Sequence, residues 1–102
     1  MEQEKLNKFL KVLKEIIGFN SVKFVFLYGS YAEGKNNKFS DIDFAVFYDG
    51  SKKQRFKFRL KILSELPDDF DVHIFQDLPL FIRKEVLKGK LIYFKDLRFV
   101  YD

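Results

Sequence analysis

The sequence predicts an α/β (α+β) fold, a mixed β-sheet of three to four strands flanked by helices in the order α-β-α-β-α-β-α-β. Three observations predict it. The opening segment repeats apolar residues at the helical period, two short runs (VKFVFLY and IDFAVFY) are almost continuously apolar, and a helix-length stretch separates the second run from a third, FDVHIF. Strands covered on both faces read as unbroken apolar runs, and a helix-length connection favours a parallel pair with a right-handed crossover.

Leu6, Phe9, Leu10, Leu13, Ile16 and Ile17 predict an amphipathic helix over residues 3–17, and Gly18 stands where a left-handed cap belongs. Residues 22–28 are the first strand, ended by Gly29-Ser30. A short helix or loop containing Gly34 leads to a second strand from about Asp41 to Tyr48, and Asp49-Gly50 signals a turn. Residues 51–66 are ambiguous, because Phe56, Phe58, Leu60 and Ile62 alternate with Arg55, Lys57, Arg59 and Lys61 as a half-buried strand would. Length, a Ser51 N-cap and the continuation through Leu63 and Leu66 favour a helix on which Arg55 and Arg59 snorkel and the phenylalanines form core. Pro67-Asp68-Asp69 breaks it. Phe70 to Phe75 is the third strand, Asp77 an N-cap and Pro79 a first-turn residue for a helix to about Lys88, and Leu91 to Phe94 a short final strand.

At 102 residues one domain over 1–102 is expected, with no internal repeat or linker. No apolar run approaches the roughly 18 residues a spanning helix needs, the start lacks a signal-peptide h-region, and the expected location is cytoplasmic. The absence of Cys excludes disulfides, thiolate zinc sites and a cysteine nucleophile. A net charge of +4 mildly favours an anionic partner, although no Arg-rich stripe with interleaved aromatics marks a nucleic-acid groove.

The chemistry concentrates in GSYAEGKNNKFSDID, residues 29–43. Side chains at i and i+2 of a strand share a face, so Asp41 and Asp43 point together with Cα atoms roughly 6.5 Å apart. Two such carboxylates repel by roughly 3 kcal/mol at an effective dielectric of about 20. A hard divalent cation offsets that, because Mg²⁺ takes oxygen ligands and keeps substrate phosphates in its shell. Asp71 would arrive from the neighbouring parallel strand, and three acidic groups at one sheet end suit a two-metal site. A one-residue shift beside Asp68 and Asp69 would turn Asp71 away. Gly29 leaves the backbone open to a phosphate, and the Ser30 hydroxyl with the following amides can donate to it. A DxD alone is weak evidence, since such aspartates also cap turns. His73 shares a face with Asp71 but reads as a half-buried, hydrogen-bonded histidine outside the site. Tyr28 and Tyr31 read as packing residues.

With Gly29-Ser30, ten residues, and Asp41-x-Asp43, the segment resembles the GS...DxD motif of the polymerase-β-like nucleotidyltransferases, and in detail their minimal branch. The likeness runs along the whole chain, specific in this segment and generic elsewhere. It implies a nucleotidyltransferase fold, with Gly29 and Ser30 binding the triphosphate, Asp41, Asp43 and Asp71 as catalytic and metal residues, and Asp71 helping to activate the attacking hydroxyl. It further implies Mg²⁺, two ions, with ATP as substrate, and AMP transfer to a hydroxyl, a tyrosine of a helical HEPN-domain toxin, with this chain as antitoxin in a hetero-oligomer. The branch often carries Arg where this chain has Glu33, a loss that Lys35 or Lys38 would have to make good. Two alternatives stay open: an idle module of the same fold that neutralises its partner by binding alone, which Glu33 favours, and transfer to RNA or a small molecule, which the chain length disfavours.

Overall fold

The computed structural model describes residues 2–37 and 40–95. In chain order they form α1 (Glu2–Glu15), a 3₁₀ turn, β1 (Val22–Tyr28), β2 (Ile42–Tyr48), α2 (Lys52–Ser64), β3 (Phe70–Ile74), a second 3₁₀ turn (Phe75–Asp77), α3 (Leu80–Leu87) and β4 (Lys90–Phe94). The sheet order is β3-β2-β1-β4, with β2 and β3 parallel and the other two pairings antiparallel.

Alternation along the strands divides the sheet into two unequal faces. Leu27, Ile42, Phe44, Val46, Phe70 and Val72 point to one side, where Phe9 and Leu13 of α1 and Phe58 and Ile62 of α2 complete the main core. Phe9 and Phe44 stack with ring centroids 3.8 Å apart. On the other face Phe24, Phe26 and Ala45 meet α3, through Val86 and Ile82, and the second 3₁₀ turn, through Phe75. Eight residues of helix cannot cover four strands. The uncovered part of that face is the end carrying Tyr28, Asp43, Asp71 and His73, and the site sits there.

Three details differ from the sequence expectations. Helix α1 stops at Glu15, so Ile17 is 80% exposed instead of lying in the core, and Gly18 takes its left-handed conformation (φ 101°) at the start of the 3₁₀ turn. In α2 the Ser51 cap forms as expected, with a full capping box to Gln54, but the phenylalanines split: Phe58 is buried and Phe56 is 57% exposed. Residues two apart on a helix are about 200° apart, so both cannot face the core. Asp77 does not cap α3. Its carboxylate accepts from Arg55 Nε and Nη2 (3.1 and 2.7 Å); Pro79, expected in the first turn, is itself the N-cap residue, no side chain caps α3, and the Ile82 and Arg83 amides donate to the Pro79 carbonyl at 3.0 Å. The segment after β1, expected as a short helix or loop, is a run of turns bracketed by Gly29 (φ 77°) and Gly34 (φ 71°).

Candidate active site

Strand register brings the acidic residues together. Asp43 is paired with Tyr28 on its β1 side and with Asp71 on its β3 side, so all three occupy one row across the sheet. The parallel pairing of β2 and β3 puts Asp71 at the same depth as Asp43. His73 follows on the same face of β3, with Nε2 2.9 Å from Asp71 Oδ2. One ligand atom from each of Asp43, Asp71 and His73 falls within 4.8 Å of the others. At that separation two ionised carboxylates repel by about 3 kcal/mol at an effective dielectric of about 20.

The electrostatics follow from this crowding. Burial pushes the Asp43 carboxyl up from the ordinary range, the Asp71 charge adds to the rise, His73 opposes it, and Asp41 contributes last. Burial, followed by Asp43 and Asp71, raises the Tyr28 phenol to about 12. Asp43 and Tyr28 therefore both resist taking on negative charge, and a cation beside them would relieve that.

Gly29 closes the site from the β1 side. A Cβ built there would stand 2.7 Å from Asp43 Oδ2, so the positive φ and the missing side chain together let the carboxylate rest against the backbone. The turn beyond it is tied by Glu33 N to Gly29 O (3.2 Å) and Lys35 N to Ser30 O (2.9 Å). Lys5 of α1 donates to the Tyr31 hydroxyl at 2.9 Å and to the Asp69 carboxylate, clamping the turn after β1 to the one before β3. The Asp69 hydrogen bond, then that of Tyr31, holds the Lys5 ammonium above its usual range.

Of the residues singled out in the sequence, Gly29, Asp43 and Asp71 converge. Asp41 stands one residue before β2, exposed, and is not in the 4.8 Å group, though its charge reaches Asp43. Ser30 lies in the turn. Lys35 is exposed beyond it, and Lys38 falls outside the described residues. His73 was read as outside the site; its hydrogen bond to Asp71 and place in the cluster bring it in, and the i, i+2 spacing from Asp71 was the available signal. Two cations were missed. Arg59 wraps the outer edge of β3, Nε donating to the Val72 carbonyl at 2.6 Å and Nη2 lying 3.9 Å from Asp71 Oδ1. Lys88 shares with Gly29, Glu33 and Gly89 a cleft of about 310 Å³ beside the turn.

The donor set fits a divalent ion of the Mg²⁺ or Mn²⁺ type: carboxylate oxygens dominate, one imidazole nitrogen adjoins them, and the Gly29 corner leaves the approach open. A mixed sheet that gathers such donors beside a glycine corner could hold a divalent ion and a phosphate together. The chain belongs to the polymerase beta nucleotidyltransferase family, whose model matches residues 4–98.

Individual relatives agree. A candidate protein adenylyltransferase of Methanocaldococcus jannaschii is 38% identical over 72 residues, which are 71% of this chain and 55% of that protein, so the chain spans about half the length of this relative. Among solved structures, a toxin–antitoxin complex with AMP-PNP contains a chain 25% identical, with a TM-score of 0.70 over 91% of this chain and 76% of its own. An MNT antitoxin in complex with a tri-AMPylated HEPN toxin from Shewanella oneidensis shares the fold: TM-score 0.66, 23% identity, 99% of this chain and 79% of the other.

Proposed function

We propose that this chain is a cytoplasmic nucleotidyltransferase antitoxin that moves AMP from ATP onto a hydroxyl, a tyrosine of a HEPN-type toxin. The observation that carries the reading is the Asp43–Asp71 register pair lying against the Gly29 corner. Family membership supports the reaction class. The names of the relatives support the acceptor: one is called a protein adenylyltransferase, and two neighbours are toxin–antitoxin complexes, one of them with an AMPylated toxin.

In this reading Asp41, Asp43 and Asp71 hold Mg²⁺, and Gly29 and Ser30 receive the triphosphate. When bound, the ions neutralise charge on the phosphates and help align the reacting oxygens. The acceptor oxygen bonds to the α-phosphorus, the bond from that phosphorus to the bridging oxygen breaks, pyrophosphate leaves with the electron pair, and Asp71 takes the hydroxyl proton. His73, hydrogen-bonded to Asp71, fixes which oxygen faces the acceptor. Lys88, beside Gly29, replaces the cation that Glu33 does not supply. Positioning and electrostatics account for nearly all of the acceleration expected of such a site.

Transfer of label from α-labelled Mg-ATP to a HEPN-type toxin supplied as partner, measured for wild type and for Asp41→Asn/Asp43→Asn, tests the reading. Wild type should label the toxin and the double variant should not. If wild type transfers nothing while the double variant still neutralises the toxin, the chain acts by binding alone.

A further inference from the structure

We propose that the groove between α2 and the open edge of β3 is the docking site for an acidic, extended segment of the protein partner, the segment that carries the acceptor hydroxyl. Its role as acceptor rests on the function proposed above; its fit to the groove rests on four independent observations.

The first is charge. Helix α2 carries Lys52, Lys53, Arg55, Lys57, Arg59 and Lys61 and no acidic residue. Arg55 and Arg59 are used within the fold, by Asp77 and by Asp71 and Val72, whereas none of the four lysines makes an ion pair among the described residues; of these Lys52 lines the groove itself, Lys53 is its exposed neighbour, and Lys57 and Lys61 line a separate hollow beside Gly18 and Tyr48. The second is shape. A groove of about 330 Å³ runs between Lys52, Phe56 and Arg59 on one wall and His73, Asp77 and Leu78 on the other. Asp77, the one carboxylate lining it, is already matched by Arg55.

The third is apolar anchorage. Phe56 and Leu60, one helical turn apart, are 57% and 49% exposed, so a partner side chain can bury against them. The fourth is continuity. His73 lines the groove and contacts Asp71, so an occupant lying in it reaches the carboxylate cluster.

The edge geometry also says how the segment is held. β3 is a terminal strand, and such edges invite strand addition. Here the Val72 carbonyl on that edge already accepts from Arg59, so the occupant is gripped by side chains instead of joining as a fifth strand. A nucleic acid shares the charge complementarity but needs stacking platforms and free guanidinium groups. Here both arginines are engaged, and Phe56 is the single exposed aromatic of α2.

The test uses the full chain and a fluorescein-labelled heptapeptide of glutamates around one tyrosine and one leucine. A matched glutamine peptide and a labelled oligo(U) serve as comparisons, with affinity read by anisotropy at two salt concentrations. The acidic peptide should bind tighter than its glutamine counterpart and weaken with salt. Lys52→Glu/Lys53→Glu and, separately, Phe56→Ala should each weaken it about tenfold, with AMP-PNP affinity unchanged. Equal affinity for the two peptides, an unaltered Kd in both variants, or oligo(U) binding more tightly through the same lysines would overturn the proposal. Loss of nucleotide binding with peptide binding intact would count against the proposed function alone. Intact nucleotide binding with a peptide indifferent to α2 would count against the docking site alone.

Discussion

Gly29→Ala separates backbone strain from damage to the site, because Gly34 provides an internal control. Both glycines have positive φ, 77° and 71°, so an alanine at either costs about 1 to 2 kcal/mol of left-handed strain. For a domain of this size that lowers Tm by roughly 5 to 15 °C. The surroundings differ: a Cβ at Gly29 lies 2.7 Å from Asp43 Oδ2, whereas one at Gly34 has nothing within 4 Å. The Asp43 carboxylate must therefore swing away in Gly29→Ala and stays put in Gly34→Ala. A displacement on the order of 1 Å can cost about a hundredfold in a positioned reaction. Melting curves should show comparable losses for both variants, while Mn²⁺-dependent AMP-PNP binding and AMP transfer should collapse only in Gly29→Ala. Equal loss of nucleotide binding in the two variants, or none in either, would refute the idea that Gly29 exists to seat the Asp43 carboxylate.

Asp43 should be a stability liability without metal. Its folded-state pKa is raised, so folding favours the neutral form; that contribution is full below the ordinary carboxylate pKa and is lost as pH rises through the elevated value. Metal-free Asp43→Asn should therefore melt higher than wild type at pH 7, the gap should close in acid, and added Mg²⁺ should stabilise only wild type, all readable by scanning fluorimetry. Phe9→Ala removes the ring stacked on Phe44 and should cost about 3 to 5 kcal/mol in urea unfolding. Gly89→Ala would drive a Cβ against the Leu27 carbonyl and should cost at least about 1 kcal/mol, checked by the same unfolding curves. Lys5→Met breaks a partly exposed clamp and should lower stability by no more than about 1 kcal/mol.

Legibility followed how local the deciding interaction is. The apolar runs of β1 and β2 and the left-handed glycines are written in neighbouring residues, and they placed Gly29 and Asp43 correctly on their strand ends. Asp71 was readable only through topology, since a helix-length crossover implied a parallel β3 and hence matching depth. His73 was set aside as a half-buried, hydrogen-bonded histidine; the i, i+2 spacing hinted at Asp71 as its partner, but its closeness to Asp43 comes from the neighbouring strand. The Asp77 partnership failed for a related reason, since Asp77 was claimed by Arg55, 22 positions away, whereas the Phe56 exposure was decidable from helical angle alone. Arg59 reaching round the strand edge has no short-range signature.

The alternation of β2 has a consequence for quality control. Ile42, Phe44 and Val46 are fully buried on one side while Asp43 looks out on the other, so a slip by a single residue would thrust an aspartate among aromatic rings and expel Phe44 into water. A mispaired sheet thus forfeits its interior as well as its reactive groups. The same pairing that fills the interior sets Asp43 beside Asp71, so the two acids are aligned by the register itself.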